Sequence, residues 1–230
     1  MITNYDKFDK FNPFGGGGSS LIKRYFTELA SAGSQYYTIP SVTLSGDFEI
    51  EFDVYKSSFA TTDSVLATVA GASADFIAII ASTGNIHVKT NGTGIGFLTN
   101  PLIINKLNHV KVARVGGDIT VTVNGIAETQ TVGIADVTFD LIAAIGTPAF
   151  FNGIVSNVKI TDAGTLVRWY EIKETWAGAS TTLNDRSGNA QHGTAVNITA
   201  ADSQRYTFNG NASPNIWTGE DTTVIEVAGT

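Results

Sequence analysis

The sequence predicts an all-β protein built as an antiparallel β-sandwich. Val, Ile, Thr and Phe are abundant and the strong helix formers are scarce, a bias that favours pleated strands. Short alternating or apolar runs recur about every 8–12 residues with turn residues between them, and no stretch shows a convincing amphipathic helix. The chain has 230 residues and is 43% hydrophobic, so a sandwich of this size buries a core without cross-links.

The composition excludes several classes of protein. The chain contains no Cys, which excludes disulfide scaffolds, zinc fingers, iron–sulfur sites and cysteine nucleophiles. It has 14 Lys and Arg against 21 Asp and Glu, a net charge of −7, and no basic cluster, so we expect no nucleic-acid partner. No apolar run reaches the roughly 18 residues of a membrane span, and Asp6 and Asp9 interrupt any signal-peptide core. We therefore expect folding in the cytoplasm, without membrane insertion, and either retention there or release without a signal, as in a virion freed by lysis.

Residues 1–20 have the composition of an N-terminal arm and linker. Aromatic residues alternate with charged ones, and the glycine run at 15–18 follows them. The segment is either a mobile tail or an assembly arm that docks its aromatic rings on a neighbouring subunit. The docking hypothesis assigns these contacts to Phe8, Phe11 and Phe14.

The strand pattern begins near residue 21 and is clearest at residues 47–54. There Phe48, Ile50, Phe52 and Val54 share one face, and four acidic residues share the other. Short runs at 65–69, 76–80 and 85–90 follow, the last of them ending at an Asn-Gly turn.

Two alternating runs at residues 109–115 and 119–123 predict a β-hairpin. Gly116-Gly117 separates them, and Asn124-Gly125 marks a further turn. Runs at 139–146, 154–160 and 169–172 complete the predicted sandwich, which we place at residues 21–176. Residues 177–230 are predicted to form a loop-rich C-terminal extension that packs on the sandwich or on a partner. Its strand candidates are residues 194–198, 206–208 and 223–227.

Several ordered motifs resemble the laminin-G-like, concanavalin-A-like jelly-roll family. The segment His109-Val-Lys-Val-Ala-Arg-Val115, with its glycine turn and the strand ending in Asn124-Gly125, is similar to a characteristic family hairpin. Residues 34–40 and 46–54 resemble the family's first strands, and residues 151–162 resemble its closing strand. Asp185-Arg-Ser-Gly-Asn-Ala-Gln-His-Gly193 resembles a family turn. Here it follows the closing strand, an order typical of tailed-phage virion variants.

The resemblance covers about residues 21–176, with an echo to about residue 200, and it implies a fold more strongly than a function. The two family residues in the hairpin have structural interpretations. We expect Arg114 to cap a sheet edge or pair with a carboxylate, and His109 to hydrogen-bond the backbone at the strand start.

The acidic face at residues 47–54 raises a glycosidase hypothesis. Retaining glycosidases need two carboxyls about 5–5.5 Å apart, and same-face neighbours on a strand lie at nearly that spacing. Laminarinase-type members of the family carry Glu-x-Asp-x-x-Glu on such a strand, but here Glu51-Phe-Asp53 is followed by Lys56 at the last acidic position. No other catalytic motif occurs. We therefore expect a solvated sheet face and no enzymatic activity.

A glycan site would combine an aromatic platform with amide or carboxyl groups. The sequence offers Phe97 beside Asn91 and Asn100, and the late residues Trp176 and Trp217, whereas Trp169 is expected in the core. No organic cofactor is expected. Calcium stays open because related sandwiches bind it in loops. No oxygen-rich run selects among the candidates, which are Asp63, Asp75, Asp136 and Asp140, all predicted to lie in loops.

These observations lead to three functional hypotheses. The first is a non-enzymatic phage virion protein, a capsid decoration or tail adhesion protein. It would be present as a homo-oligomer or in repeated copies and would contact other virion proteins and host surface glycans. The second is a free-standing carbohydrate-binding module or lectin. The third, and the weakest, is a glycoside hydrolase.

Overall fold

The computed structural model describes residues 21–69, 75–90, 93–131, 133, 135–145, 149–172, 181–199, 203–209, 216–219 and 224–227. Within these residues the protein is an antiparallel β-sandwich of a ten-stranded and an eight-stranded sheet, with a further two-stranded pair. The only helical element in these ranges is a 3-10 turn at Ser31–Gly33. The described residues therefore contain no helix that is long and apolar enough to span a membrane. The predicted fold class is confirmed.

The ten-stranded sheet contains the strands that carry the acidic run, the hairpin at residues 109–123 and the closing-strand motif. Its members are β1 (Leu21–Leu29), β3 (Phe48–Tyr55), β8 (Lys106–Val115), β9 (Asp118–Val123), β10 (Ile126–Thr131), β14 (Gly153–Asp162), β15 (Thr165–Tyr170), β18 (Ser203–Asn209), β19 (Ile216–Gly219) and β20 (Val224–Val227).

The eight-stranded sheet covers the other side of the core. Its members are β2 (Tyr36–Leu44), β4 (Asp63–Ala67), β5 (Phe76–Ile79), β6 (Ile86–Thr90), β7 (Thr93–Phe97), β11 (Val137–Ile142), β16 (Thr182–Leu183) and β17 (Gly193–Val196). The separate pair consists of β12 (Ala144–Ile145) and β13 (Ala149–Phe150).

Strand β3 pairs along its whole length with β8 on one side and with β14 on the other. Its apolar residues are buried, and the acids between them are partly exposed. Phe52 and Val54 join a core cluster with residues of the facing sheet, including Ile77 and Phe139. The alternation seen in the sequence therefore sets which face of the ten-stranded sheet packs inward.

The predicted hairpins are present. Gly116-Gly117 connects β8 to β9, and Asn124-Gly125 connects β9 to β10. Asn124 and Gly125 both have positive φ, 50° and 86°, as a two-residue hairpin turn of this twist requires. One predicted strand is divided, because Ala143 adopts a φ of 65° between β11 and β12, although its N–H still donates to the Val65 carbonyl of β4.

Strands beyond residue 176 join both sheets. β17 pairs with β2 in the eight-stranded sheet, while β18 pairs with β1 and β20 runs parallel to the start of β8. The division into an arm, a sandwich ending at 176 and an extension stays a prediction.

Arg114 closes one end of the ten-stranded sheet from the inside. Its guanidinium is 1% exposed and lies 4.8 Å from the centroid of the Phe48 ring. It donates to the carbonyls of Gly46 (2.8 Å from Nε), Leu44 (3.1 Å from Nη2) and Ala135. Of the two roles expected for Arg114, the structure supports the cap of a sheet edge. Its partners are carbonyl oxygens, not a carboxylate.

We expect Arg114→Met to lower the free energy of unfolding by about 2–4 kcal/mol, because the carbonyls of Leu44, Gly46 and Ala135 lose a charged donor and the bond to Leu44 is buried. Lys111→Met on the same strand is the control, since its exposed ion pair is worth less than about 1 kcal/mol. Urea denaturation measures both changes, compared at the same dependence of unfolding free energy on urea concentration. Equal effects of the two substitutions would contradict the role given to Arg114.

Candidate functional site

The outward face of the ten-stranded sheet carries a row of chemically distinct side chains on adjacent strands. The strand register places Trp169 of β15 opposite Lys159 of β14, Lys159 opposite Glu51 of β3, and Glu51 opposite Lys111 of β8. These four residues point to the same side because paired residues share a face. We call this surface, together with Glu49, Asp53, His109 and Asn157, the outer face.

A chain of hydrogen bonds crosses four strands of the outer face. The Trp169 indole N–H donates to Asn157 Oδ1 (3.1 Å), and the Asn157 amide donates to Asp53 Oδ2 (3.3 Å). The ring Nδ1 of His109 lies 2.8 Å from Asp53 Oδ1, where its N–H donates to the carboxylate. Trp169 and His109 are thus held in place through two intermediate side chains.

A backbone irregularity brings Asn157 into this chain. The pairing of β14 with β3 shifts between Ser156 and Lys159, and Asn157 has a φ of 51°. Its backbone N–H donates to the Glu171 carbonyl beyond the end of β15. This bulge re-aims the amide toward Asp53 and Trp169, a role that bulges often have beside functional sites.

The acids of the outer face are each paired with a base on a neighbouring strand. Lys111 contacts Glu49 and, as a hydrogen-bond donor, lowers the pKa of that carboxyl. Lys159 lies 3.8 Å from Glu51 and 5.5 Å from the Trp169 ring centroid. The hydrogen bond with Asp53 raises the pKa of His109 above its ordinary value of 6.5. His109 stays 46% exposed, so its ring edge faces solvent.

The loop that follows β16 fixes the edge strand that carries Trp169. Buried Asp185 accepts hydrogen bonds from the backbone N–H groups of Trp169 (3.0 Å), Ser187 (2.9 Å) and Gln191 (3.0 Å). Burial raises the pKa of Asp185, but these hydrogen bonds outweigh it, so the net shift is downward. The sequence motif predicted as a turn therefore covers an open sheet edge.

A shallow, open groove of about 690 Å³ adjoins the outer face at its Glu49 end. Asp47, Glu49, Thr161 and Gly164 are among its lining residues. Asp47 is engaged there, since its carboxylate accepts the Gly116 N–H at 2.7 Å. The groove offers acidic and hydroxyl groups in continuation of the row above.

Two expectations about this face need correction. His109 does not use its ring to hold backbone. The main-chain N–H of His109 donates to Asn124 Oδ1, and its carbonyl accepts the Asn124 N–H. The ring is hydrogen-bonded to Asp53 instead. Trp169 is not a core residue but half-buried, because its side chain lies on the outward face of β15, whereas the next residue, Tyr170, is buried in the core.

Phe97 and Asn100, two of the residues predicted to bind a ligand, do not belong to the outer face. Phe97 is 2% exposed within the core and presents no ring face to solvent. The Asn100 amide donates to the carbonyls of Val123 (2.5 Å) and Ile126 (3.3 Å), which anchors a loop. Trp217 lies in β19, with its side chain outside the described part. Asn91, Trp176 and the arm residues Phe8, Phe11 and Phe14 lie outside the described residues, and the roles of all these positions stay predictions.

The calcium candidates are distributed over the molecule, and Asp63, Asp75 and Asp140 have protein partners. Asp63 begins β4 and Asp140 lies within β11, so neither is a loop residue as expected. Asp75 accepts the Thr138 N–H at 2.8 Å and Asp140 accepts the Val69 N–H at 2.6 Å, while Asp136 is exposed. Among the described residues, no group of three or more His, Asp or Glu is arranged to hold a metal ion.

The fold is shared with a solved structure of low sequence identity. A candidate carbohydrate-binding protein from Bacteroides ovatus superposes with a TM-score of 0.61 and 15% identity, over 89% of this chain and 61% of that one. This chain thus spans less than two thirds of that protein. A heptameric SAP-like pentraxin from Limulus polyphemus (15% identity, 62% and 76% coverage) and laminin α1 domains LG4-5 from mouse (17%, 60% and 40%) each score 0.45.

The likeness to the Bacteroides structure is one of fold alone and supports the β-sandwich described above. The resemblance of the sequence motifs to the laminin-G-like, concanavalin-A-like family stays a prediction. No protein-family model matches the chain, and no curated protein matches it in sequence.

The Asp53–His109 contact gives a pH-dependent prediction. We expect NMR titration to give His109 a pKa above 6.5 that falls in Asp53→Asn, while His87, whose pKa is lowered by burial and by Lys89, stays below 6.5 in both proteins. Because the folded pKa is raised, the contact stabilises fully below the unfolded pKa of about 6.5 and is lost as pH rises through the folded value.

The matching stability measurement compares wild type with His109→Gln. His109→Gln should lower the free energy of unfolding more at low pH than at high pH. The decrease should stay below about 1 kcal/mol, because the Asp53–His109 pair is part-exposed. A pKa of His109 that does not respond to Asp53→Asn would remove the basis for this contact.

Proposed function

We propose that the protein binds carbohydrate and that the outer face is its binding surface. The observation that carries the proposal is the hydrogen-bond chain from Trp169 through Asn157 and Asp53 to His109. A sugar ring presents C–H groups on its faces and hydroxyls around its edge. A part-exposed indole beside fixed amide, carboxylate and imidazole groups complements both features.

The dimensions of the outer face favour an oligosaccharide. Trp169 and His109 are separated by three strand spacings, about 14 Å in all, which is longer than one sugar ring. The side chains between them are already held by one another, so binding would cost little side-chain ordering. The groove at the Glu49 end extends the surface further.

We also propose that this surface binds without catalysing hydrolysis. A glycosidase needs a protonated general acid, whose pKa is raised. Here Lys111 lowers the pKa of Glu49, and Glu51 and Asp53 each face a base. This arrangement gives a row of carboxyl oxygens, each held by a neighbouring base, as hydrogen-bond acceptors, which suits recognition of hydroxyl groups.

Trp169→Ala is expected to weaken oligosaccharide binding at least about tenfold, a loss equivalent to about 1.4 kcal/mol, because the apolar platform is removed. Trp169→Phe should retain part of the affinity. The matched control is Tyr36→Ala, which removes a half-buried aromatic ring from the eight-stranded sheet. A glycan array followed by calorimetry measures the effect, and equal loss in both alanine variants would argue against the outer face.

A finer proposal is that the protein is a structural component of a phage virion, a capsid decoration or tail adhesion protein assembled in the host cytoplasm in repeated copies. It is supported by the resemblance to virion variants at Asp185–Gly193, the aromatic residues of 1–20 and the absence of Cys. The outer face would then contact glycans on the host surface.

Deletion of residues 1–20 tests the virion proposal. We expect the shortened protein to fold as a monomer and to be missing from purified particles, because the docking rings Phe8, Phe11 and Phe14 are lost. Trp169→Ala is the control and should be incorporated normally. Particles that contain the shortened protein at the usual level would contradict the assembly role.

A further inference from the structure

Lys56 and Asp63 form a buried pair at the crossing between the two sheets. Lys56 directly follows β3 of the ten-stranded sheet, and Asp63 begins β4 of the eight-stranded sheet. Residues 57–62 connect them. The side chains are 3% and 2% exposed, and Lys56 Nζ contacts Asp63 Oδ2. This pair differs from the part-exposed pairs of the outer face because water is excluded from it.

The surroundings satisfy an ammonium group poorly. An ammonium has three N–H donors, and the described contacts of Nζ are the Asp63 carboxylate and the ring of buried Phe151, 4.8 Å away. In the described part of the chain, Asp63 Oδ2 has no hydrogen-bond partner apart from the lysine contact. Removing two charges from water with so few compensating bonds is costly, which favours a neutral form of the pair.

Burial also changes the reactivity of the amine. Desolvation lowers the pKa of Lys56 to about 8, so an appreciable fraction of the amine is neutral close to neutral pH. A neutral amine has a free electron pair and is a nucleophile. The nearest electrophilic carbon on its contact partner is Cγ of Asp63.

We propose that Lys56 and Asp63 are a self-modification site that forms an intramolecular isopeptide bond between Lys56 Nζ and Asp63 Cγ. The amine nitrogen attacks the carboxyl carbon, and the C–N bond forms. One carboxyl oxygen leaves with two protons, both supplied by the lysine ammonium, as one molecule of water. An ammonium and a carboxylate thus become an amide and water, with no oxidant, reductant or further reactant.

The fold supplies the proximity that this condensation needs. The Lys56 carbonyl accepts the Asn105 N–H at 2.9 Å, and Asp63 is held opposite Ile79 in the β4–β5 ladder. Groups fixed in contact react with an effective concentration far above that of free reactants. The Thr61 hydroxyl donates to Asp63 Oδ1 at 2.8 Å. We assign it a positioning role, holding the carboxyl plane and polarising the carbonyl.

The bond would join the residue that directly follows β3 to the first residue of β4, and so add a second covalent link between the two sheets beside residues 57–62. Unlike a disulfide, it forms without an oxidising compartment, which suits a chain with no Cys. It would withstand reductants and denaturants that break non-covalent contacts.

The test is tandem mass spectrometry of the full-length protein, denatured and then digested with trypsin. The proposal predicts no cleavage after Lys56 and a peptide of residues 25–89 whose mass is lower by one water. Fragment ions should place the link between Lys56 and Asp63. Cleavage after Lys111, whose pair with Glu49 is exposed, is the internal control for digestion.

Separate peptides 25–56 and 57–89 at unmodified mass would overturn the proposal. The proposal would also be overturned if trypsin still cleaved after Lys56 and the peptide of residues 57–89 had lost one water, because that result indicates a cyclised aspartyl residue.

Two variants test the mechanism. Lys56→Met should show no loss of water, while Thr61→Val should form the bond several-fold more slowly in a time course after synthesis. If Lys56→Met does not fold, the wild-type digest still decides the question. A Thr61→Val protein linked at the wild-type rate would remove the positioning role of the hydroxyl.

Discussion

The alternation of apolar and acidic residues along β3 is the constraint on which the sandwich and its outer face depend. Phe48 is 5% exposed, and Ile50, Phe52 and Val54 are fully buried, so Glu49, Glu51 and Asp53 must point outward. A register slip of one residue would move three carboxylates into the core, at a cost no nearby base could offset. β3 also lies between β8 and β14, so its outward residues meet side chains from both neighbours.

The chemistry of the outer face follows from this position. β8 and β14 supply His109, Lys111 and Lys159, which pair with the acids and leave a surface of matched charges. The bulge at Asn157 and the Asp185 loop then fix Trp169 at the edge of the same sheet. The result is a pre-organised surface with one apolar platform and several polar groups, which is the general pattern of a site for a hydroxyl-rich ligand.

Local patterns in the sequence predicted the parts of this structure that depend on local rules. The alternation at residues 47–54 predicted β3 and its buried face, and Asn124-Gly125 predicted a hairpin turn. The binding-residue candidates were chosen by type and nearness along the chain. That choice missed Trp169 and His109, whose partners lie 12 and 56 residues away in sequence.

Non-local geometry decided the remaining features. A lysine side chain is usually expected to be exposed to solvent, so the sequence alone does not predict that Lys56 is buried. Its burial depends on where the crossing to β4 meets Phe151. Arg114 likewise depends on which loops approach the end of β8, and the carbonyls it binds lie in two separate segments. Such contacts require the sheet order, which a single sequence does not specify.

An NMR titration of labelled protein tests most directly whether the outer face recognises oligosaccharides. Ligands that bind in a glycan array would be added while the Trp169 indole N–H, the Asn157 amide and the His109 ring are followed. If the outer face is the binding surface, we expect saturable shifts of all three signals with one common affinity. Saturable binding that shifts only signals of the eight-stranded sheet, or no binding to any glycan on the array, would contradict it.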